Sequence, residues 1–383
     1  MEVERVVAAT QRPHSSALDF VVHYLQLICS WPLAQVICEY VLPLSFAATA
    51  VPPLLYYALG EHDNSAELVS FMADALGSMM CAIKMLALQK HAVTILAVRK
   101  IEEEFTPMER KVATQAVTLN ERCEKRCTTL MRCFVYSYGM LSVVAIAGML
   151  QAVIRNDPWL SVKAPTFVLQ TRPIYIFTVV TSIVEYSLFP VTVGIFDSLL
   201  ITLCLHIASK CDVLALMMRK LVCEEAAEDG AAKLRCLRLC AVYHQQIIRL
   251  HGAAESIFCT TALCQMVFTL FGLATPLFRI LGKTTAVTVH DIAFGALYVA
   301  YTFMELFTFC YFGDVVAESS ALLSTAIYGT FYPSLSPKDT LVARIQNMIL
   351  LRTQRPLFLT AGRYTNLTLN LFQDVSHEHL VFP

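Results

Sequence analysis

The chain has 383 residues, of which 56% are hydrophobic and only 15% are charged, and its formal net charge is −1. Soluble domains have about 25% charged and about 45 to 50% apolar residues, so the surplus apolar surface is expected to face membrane lipid. A charge balance so close to neutral excludes the basic field that nucleic-acid binding requires. The 14 cysteines are scattered, which favours reduced thiols over a disulfide framework.

Six stretches are apolar over the length of about 20 residues that a helix needs to cross a bilayer. In chain order they are residues 38–59, 66–88, 133–153, 174–205, 256–278 and 292–312. A seventh stretch, residues 364–375, is apolar but too short to span. The predicted fold class is therefore an all-α integral membrane protein with six clear transmembrane helices and an incomplete seventh.

The lysines and arginines of the connecting segments are distributed very unequally. The side that holds the N-terminal arm carries 23 of them and the opposite side carries five, and cytoplasmic segments are the ones that retain positive charge. We therefore predict a cytoplasmic N-terminus. The predicted regions are a cytoplasmic arm (1–37), a membrane bundle (38–328) with long cytoplasmic loops (89–132 and 206–255), and an anchor segment with the incomplete seventh helix (329–383).

The fourth and fifth spans are expected to extend into the cytoplasm as paired helices. Residues 207–221 continue the fourth span with apolar positions at helical spacing, and a second helical pattern leads from Gly230 into the fifth span.

No motif predicts an enzyme, a cofactor or a metal site. The sequence contains no Gly-rich phosphate loop, no His-Glu-x-x-His and no Gly-x-Ser-x-Gly. Cys236, Cys240 and His244 recur every four residues, and Cys123 and Cys127 have the same spacing. Because no fourth ligand is evident for either set, ordinary packing is the favoured interpretation.

Ionisable residues inside spans are costly, which makes each of them a candidate for function. Lys84 can also reach the inner interface by extending its side chain, and Asp197 can sit at the water boundary of an over-long helix. Glu185 falls near mid-membrane, where a functional role competes with a structural pairing. The full set is Glu39, Asp74, Lys84, Glu185, Asp197 and Glu305.

Several short motifs follow one another between residues 305 and 373. They are Cys310 with Gly313, Glu318 with Ser319, Ile327 with Tyr328, Gln-Arg-Pro at 354–356 and Leu-Thr-Ala-Gly at 359–362. In this order they resemble the C-terminal signature of the insect odorant receptor family. A weaker resemblance continues upstream at Asp197, His206, His244 and Leu250.

The resemblance implies the ligand-binding (tuning) subunit of an odorant-gated, non-selective cation channel. Such subunits assemble as hetero-tetramers with a shared co-receptor in the plasma membrane of sensory neuron dendrites. The assembly surface would include Gln354, Arg355, Pro356 and Gly362. Small volatile hydrophobic ligands would bind in the outer half of the bundle, by position at Phe71, Met72, Ser142, Ile146, Met149, Phe177, Thr181 and Tyr298.

The end of the chain departs from the family pattern. After Gln373 the family continues its seventh helix, whereas this sequence continues with charged residues and histidines to Pro383. We therefore expect a truncated isoform that associates with the co-receptor without conducting. The alternatives are a gustatory receptor of the same superfamily and, from another class, a secondary transporter, which should show internal repeats that this sequence lacks.

Overall fold

The structure, a computed structural model, describes residues 18–19, 21–23, 65–109, 114–154, 172–220, 230–281, 289–331 and 340–381. Helices make up nearly all of this part of the chain. They are α1 (Ser65–Lys90), α2 (Ala92–Glu109), α3 (Thr114–Ile154), α4 (Arg172–Met217), α5 (Gly230–Leu281), α6 (Val289–Phe331), α7 (Thr340–Thr353) and α8 (Leu369–Val381). A small antiparallel hairpin of β1 (Thr360–Ala361) and β2 (Thr365–Asn366) lies between α7 and α8.

The second to sixth predicted spans all fall within helices, namely α1, α3, α4, α5 and α6. The first, residues 38–59, lies outside the described residues. Three described stretches are each long and apolar enough to cross a membrane: Thr192–Lys220, Ala231–Gly272 and Val299–Gly329. Together with the helical fold they confirm a multi-helix membrane protein, although the hairpin was not foreseen.

The central helices are much longer than a bilayer requires. α4 has 46 residues, α5 has 52 and α6 has 43, whereas about 20 residues cross the hydrocarbon. α5 begins at Gly230, where the sequence predicted its start, and α4 continues past its predicted span to Met217. The two helices pack against each other, as the expectation of paired helices beyond the membrane requires.

The stretch 89–132, expected as a connecting loop, is helical in its described part except at His91, which forms a turn. α1 ends at Lys90, α2 follows from Ala92 to Glu109, and α3 begins at Thr114. In α2 the side chains of Ile95, Val98 and Phe105 are buried while those of Glu103 and Glu104 are exposed. This one-sided burial is what allows a charged segment to form a packed helix. Met79–Lys90 and Ala92–Glu109 together also qualify as a span, bent by 57°.

α4 is the central helix of the bundle. It packs against α1, α3, α5 and α6, and every residue from 192 to 204 is buried. A helix that is apolar on all faces is expected in the interior rather than at the surface. Polar side chains on α4 are therefore held inside the protein, where they need partners.

The C-terminal segment of the structure packs onto the bundle. α7 contacts α5 and α6, β1 contacts α5, and α8 contacts α6. α8 has 13 described residues, a rise of about 20 Å, which is less than the hydrocarbon thickness of about 30 Å.

Candidate functional site

Three of the ionisable residues predicted within spans meet in the interior. The Lys84 ammonium of α1 lies 2.9 Å from a carboxylate oxygen of Asp197 on α4 and 2.9 Å from one of Glu305 on α6. All three side chains are almost completely buried. The two boundary positions considered from the sequence are therefore wrong: the Lys84 side chain does not extend to an interface, and Asp197 does not lie at a water boundary.

The remaining oxygens of both carboxylates are also bonded. The Tyr138 hydroxyl of α3 donates to the second oxygen of Asp197 at 2.7 Å, and the Gln265 amide of α5 donates to the second oxygen of Glu305 at 2.7 Å. The Tyr301 hydroxyl donates at 2.6 Å to the Glu305 oxygen that also contacts Lys84. We call these six residues, Lys84, Asp197, Glu305, Tyr138, Tyr301 and Gln265, the Lys84 cluster. A buried charge group is tolerated only when its lone pairs are satisfied in this way.

Aromatic rings complete the surroundings of the ammonium. Its nitrogen lies 5.7 Å from the centre of the Phe196 ring and 5.8 Å from that of Phe309, distances at which a ring attracts a cation. Tyr138 and Tyr301 meet edge to face at 5.5 Å. The cluster thus joins side chains of α1, α3, α4, α5 and α6 at one level of the bundle. It offers no nucleophile paired with a base, and its chemistry is that of a structural junction.

The ligand-binding residues predicted by position are placed only in part. On α3, Ser142 is buried and Ile146 is half-buried. They follow Tyr138 at intervals of one helical turn and so share its inward face. The opposite face is exposed at Met140 and Val143. The side chains of the other six predicted residues, Phe71, Met72, Met149, Phe177, Thr181 and Tyr298, lie outside the described part.

The helical period nevertheless places two of those six backbone positions. Met149 is 11 residues after Tyr138 on α3, and Tyr298 is seven residues before Glu305 on α6. At 3.6 residues per turn, both intervals return to within about 20° of the same face. Both positions therefore fall on the helix faces that point inward at the Lys84 cluster, on the same side of it as Ser142.

The hairpin explains why a glycine ends the Leu-Thr-Ala-Gly motif. Gly362 and Arg363 have φ angles of +62° and +64°, and the Tyr364 N–H donates to the Ala361 carbonyl at 3.1 Å. Two successive positive φ angles define a type I′ turn. The Gly362 N–H also donates to the Cys259 carbonyl of α5 at 2.8 Å, so this turn is pressed against the helix.

A side chain at Gly362 has no space. An added Cβ would lie 2.6 Å from a side-chain carbon of Leu263. Polar contacts hold the chain that enters the turn: the Thr360 N–H donates to a Glu255 carboxylate oxygen of α5 at 3.0 Å, and the Leu357 N–H donates to the Ser320 hydroxyl of α6 at 2.9 Å.

The Cys-x-x-Gly motif of α6 meets the strand that leaves the hairpin. A Cβ added at Gly313 would lie 2.5 Å from the Leu367 carbonyl oxygen, and the Leu367 N–H donates to the Leu359 carbonyl at 2.8 Å. Both glycine motifs recognised in the sequence therefore lie where the C-terminal segment packs against the bundle: Gly313 lies against Leu367, and Gly362 lies against Leu263. Neither leucine belongs to a motif recognised in the sequence.

Three of the four residues predicted for subunit assembly are exposed on the single chain. They are Gln354, Arg355 and Pro356, whereas Gly362 is partly covered by α5. The neighbouring helix α7 also exposes large apolar side chains at Leu341, Met348 and Leu351.

A second polar group, the Lys210 cluster, lies about 20 Å further along α4. The Lys210 ammonium and the Tyr243 hydroxyl donate to one carboxylate oxygen of Glu109 at 2.7 and 2.8 Å, and the Asn120 amide donates to the other oxygen at 2.6 Å. These four residues come from α4, α5, α2 and α3. The Lys210 nitrogen also lies 5.1 Å from the centre of the Phe105 ring.

The cysteine pattern of α5 does not form a converging ligand set. Cys236 is half-buried while Cys240 and His244 are buried, and in the described part of the chain their ligand atoms are not gathered for a metal. For these three residues the packing interpretation stays a prediction.

Comparison with known proteins identifies the fold and the family. A family model described as 7tm Odorant receptor matches residues 67–377. The solved structure of the insect olfactory receptor OR5 from Machilis hrabei matches with a TM-score of 0.73 over 92% of this chain and 88% of that one, at 14% identity. The same receptor in complex with eugenol gives a TM-score of 0.76 and covers 95% of each chain.

Curated sequences agree over shorter stretches. Odorant receptor Or2 of Anopheles gambiae is 27% identical over 139 residues, which are 36% of this chain and 35% of that protein. Putative odorant receptor 92a of Drosophila melanogaster is 24% identical over 155 residues, 39% of this chain and 36% of that protein. The chain thus aligns with little more than a third of the length of these two relatives. Because the family model covers far more than half of the sequence, this chain belongs to the odorant receptor family.

Proposed function

We propose that the chain is the ligand-binding subunit of an odorant-gated cation channel that assembles with a co-receptor in the plasma membrane of sensory neuron dendrites. Its ligand is a small volatile hydrophobic molecule. The observation that carries the proposal is the arrangement of α3 and α6, whose inward faces continue beyond the Lys84 cluster into the predicted ligand-binding positions.

The Lys84 cluster suits the floor of such a pocket. It closes the bundle with a Lys84 ammonium and two carboxylates that are already paired with one another and with hydrogen-bond donors, so an apolar ligand on the far side meets no unpaired charge. Ser142 and Ile146 lie one and two turns beyond it on α3. Eugenol, the molecule in the OR5 complex, is small and largely apolar and represents the class of ligand expected here.

α6 supplies a continuous path from the pocket to the assembly surface. The helix carries Tyr298 at the ligand level, Glu305 in the Lys84 cluster and Gly313 at the hairpin. A ligand that binds one arrangement of α6 better than another shifts the balance between closed and open states by that difference in affinity. The proposed gating element is therefore α6 together with the hairpin that it holds.

The hairpin region is proposed as the contact with the co-receptor. Gln354, Arg355 and Pro356 are exposed, and Leu341, Met348 and Leu351 form an apolar surface beside them on α7. Large exposed apolar patches rimmed by polar residues mark protein interaction sites.

Truncating the proposed pocket is expected to weaken ligand binding. Met149→Ala and Tyr298→Ala should each remove an apolar contact with the ligand of about 1 to 3 kcal/mol, which corresponds to a loss in affinity of about 5- to 150-fold. Val143→Ala on the exposed face of α3 is the matched control and should leave the affinity unchanged. The measurement is the ligand concentration that half-saturates the rise in unfolding temperature of the purified protein. Unchanged affinity in both pocket variants would move the ligand site elsewhere.

The proposed orientation is tested with epitope tags. Because positive charge is concentrated on the side of the N-terminal arm, a tag at the N-terminus should bind antibody only after cells are permeabilised. A tag between residues 157 and 163 should be labelled on intact cells. The opposite labelling pattern would overturn the cytoplasmic N-terminus.

A further inference from the structure

Two thiols and an imidazole converge where α2, α3 and α4 meet. Cys123 and Cys127 lie one turn apart on α3 with their sulfur atoms 4.0 Å apart, and His206 faces them from α4. The ligand atoms of the three side chains all lie within 4.8 Å of one another. Among the described residues, this is the one group of three histidine, cysteine, aspartate or glutamate side chains whose ligand atoms come together in this way.

Two carboxylates flank the imidazole. Its Nδ1 contacts the Glu102 carboxylate of α2, and its Nε2 lies 3.3 Å from a carboxylate oxygen of Glu124 on α3. In metal sites, the histidine ligand commonly donates its second ring N–H to a carboxylate, which fixes the orientation of the ring. Glu102 stands in that relation to His206, and Glu124, on the same helix as the two thiols, is the candidate fourth ligand, although its oxygens lie outside the group of three converging atoms.

The distances and donor types fit a tetrahedral zinc ion. Zinc–sulfur bonds of about 2.3 Å in a tetrahedron separate two sulfur atoms by about 3.8 Å, close to the 4.0 Å between Cys123 and Cys127. Thiolate and imidazole ligands favour zinc over the oxygen-preferring magnesium and calcium ions. A disulfide fits less well, because its sulfur atoms must approach to about 2.05 Å.

The thiols are also prepared for metal binding. The hydrogen bond from Cys127 lowers the pKa of Cys123 to about 7, and His206 and Lys210 act in the same direction. Thiolate is the form of cysteine that binds metal. Sharing its proton with Cys123 raises the pKa of Cys127, so zinc binding should release the proton that the pair retains.

We propose that Cys123, Cys127, His206 and Glu124 bind a Zn²⁺ ion, with Glu102 orienting the His206 ring. The ion ties α3 to α4, and through Glu102 to α2, beside the Lys210 cluster and away from the proposed ligand pocket. Zinc occupancy would therefore stabilise the region between the bundle and its extension without contacting odorant.

The first test measures zinc in the purified full chain. We expect about one zinc ion per chain after reconstitution with zinc and removal of excess, and less than about a tenth in Cys123→Ser/Cys127→Ser. Cys133→Ser changes an exposed cysteine of the same helix and should retain the ion. Glu102→Gln should weaken zinc binding by about 10- to 100-fold. Equal zinc content in the wild type and the double variant would overturn the proposal.

The second test needs no variant and so does not depend on how the substitutions fold. The wild-type chain is treated with iodoacetamide with and without added zinc, and each cysteine is read by peptide mass spectrometry. Zinc should protect Cys123, the partly exposed thiol of the pair, while leaving the labelling of Cys133 unchanged. Labelling of Cys123 that is the same with and without zinc would overturn the site.

Discussion

Replacing Lys84 with methionine is expected to destabilise the folded protein by about 3 to 5 kcal/mol. The Lys84 ammonium lies 2.9 Å from both Asp197 and Glu305, and its side chain is fully buried. Methionine fills a similar volume but supplies no charge, so two carboxylates are left without their cation in the interior. Removing one partner of a buried ion pair costs far more than the pair itself contributes.

The matched control for this substitution is Lys90→Met. Lys90 lies on the same helix and is exposed, so its loss should change the unfolding free energy by less than about 0.5 kcal/mol. The triple variant Lys84→Met/Asp197→Asn/Glu305→Gln should recover part of the lost stability, because it also removes the unpaired charges. Denaturation of the purified protein in detergent gives the comparison. If Lys84→Met is no more harmful than Lys90→Met, the Lys84 cluster is not a structural junction.

Replacing Gly313 with alanine is expected to displace the C-terminal hairpin from α6. The new methyl group would lie 2.5 Å from the Leu367 carbonyl oxygen and 2.8 Å from the Leu367 Cβ, and a backbone oxygen cannot rotate away as a side chain can. Overpacking of this kind costs about 1 to 3 kcal/mol. Because the hairpin lies beside the proposed assembly surface, we also expect less co-receptor to co-purify.

Gly329 provides an unusually close control on the same helix. A Cβ added there meets no atom within 4 Å, so Gly329→Ala should be neutral or stabilise α6 by about 0.5 to 1 kcal/mol. Hydrogen exchange of residues 357–367 reports on the hairpin directly. Faster exchange in Gly313→Ala and unchanged exchange in Gly329→Ala is the expected pair of results. Protection that is equal in both variants would show that the close contact at Gly313 is not what holds the hairpin.

Hydropathy and charge were sufficient to predict the main architecture. A stretch such as 256–278 is uncharged throughout and mostly apolar, as expected where lipid or protein surrounds it, and it lies inside α5. The start of α5 at Gly230 was also predictable, because an acidic segment that ends in glycine interrupts the helical pattern. The helix α2 within the predicted cytoplasmic connection 89–132 was not specified as an element. Its apolar face at Ile95, Val98 and Phe105 was the available signal.

The interior contacts could not be derived from sequence. Lys84 is separated from Asp197 by 113 positions and from Glu305 by 221, so each residue seemed to need its own explanation as an isolated charge in a span. The glycines of the C-terminal motifs were recognised by resemblance, but the need for glycine is steric, because Leu367 and Leu263 lie too close for a side chain at Gly313 and Gly362. Likewise, His206 lies beside Cys123 and Cys127 because α4 packs against α3, which the sequence does not show.

The candidate ligand site was predicted less completely than the fold. Ser142 is buried and Ile146 is half-buried, and the helical period relates Met149 to Tyr138 on α3 and Tyr298 to Glu305 on α6. All eight residues named for the ligand site remain predictions by position. Pocket shape depends on side-chain packing between helices, which residue type alone does not determine.

The most direct test of the proposed function is whether volatile ligands stabilise the purified chain. At a ligand concentration of about 100 times the dissociation constant, binding to the native state alone adds about 2.7 kcal/mol. Unfolding temperature is measured across a panel of small apolar volatiles that includes eugenol, beside polar solutes of similar size. We predict a saturable rise with at least one volatile and none with the polar solutes. Stabilisation by polar solutes alone, accompanied by their radiotracer uptake into cells that express the chain, would contradict an odorant-binding role and favour a transporter.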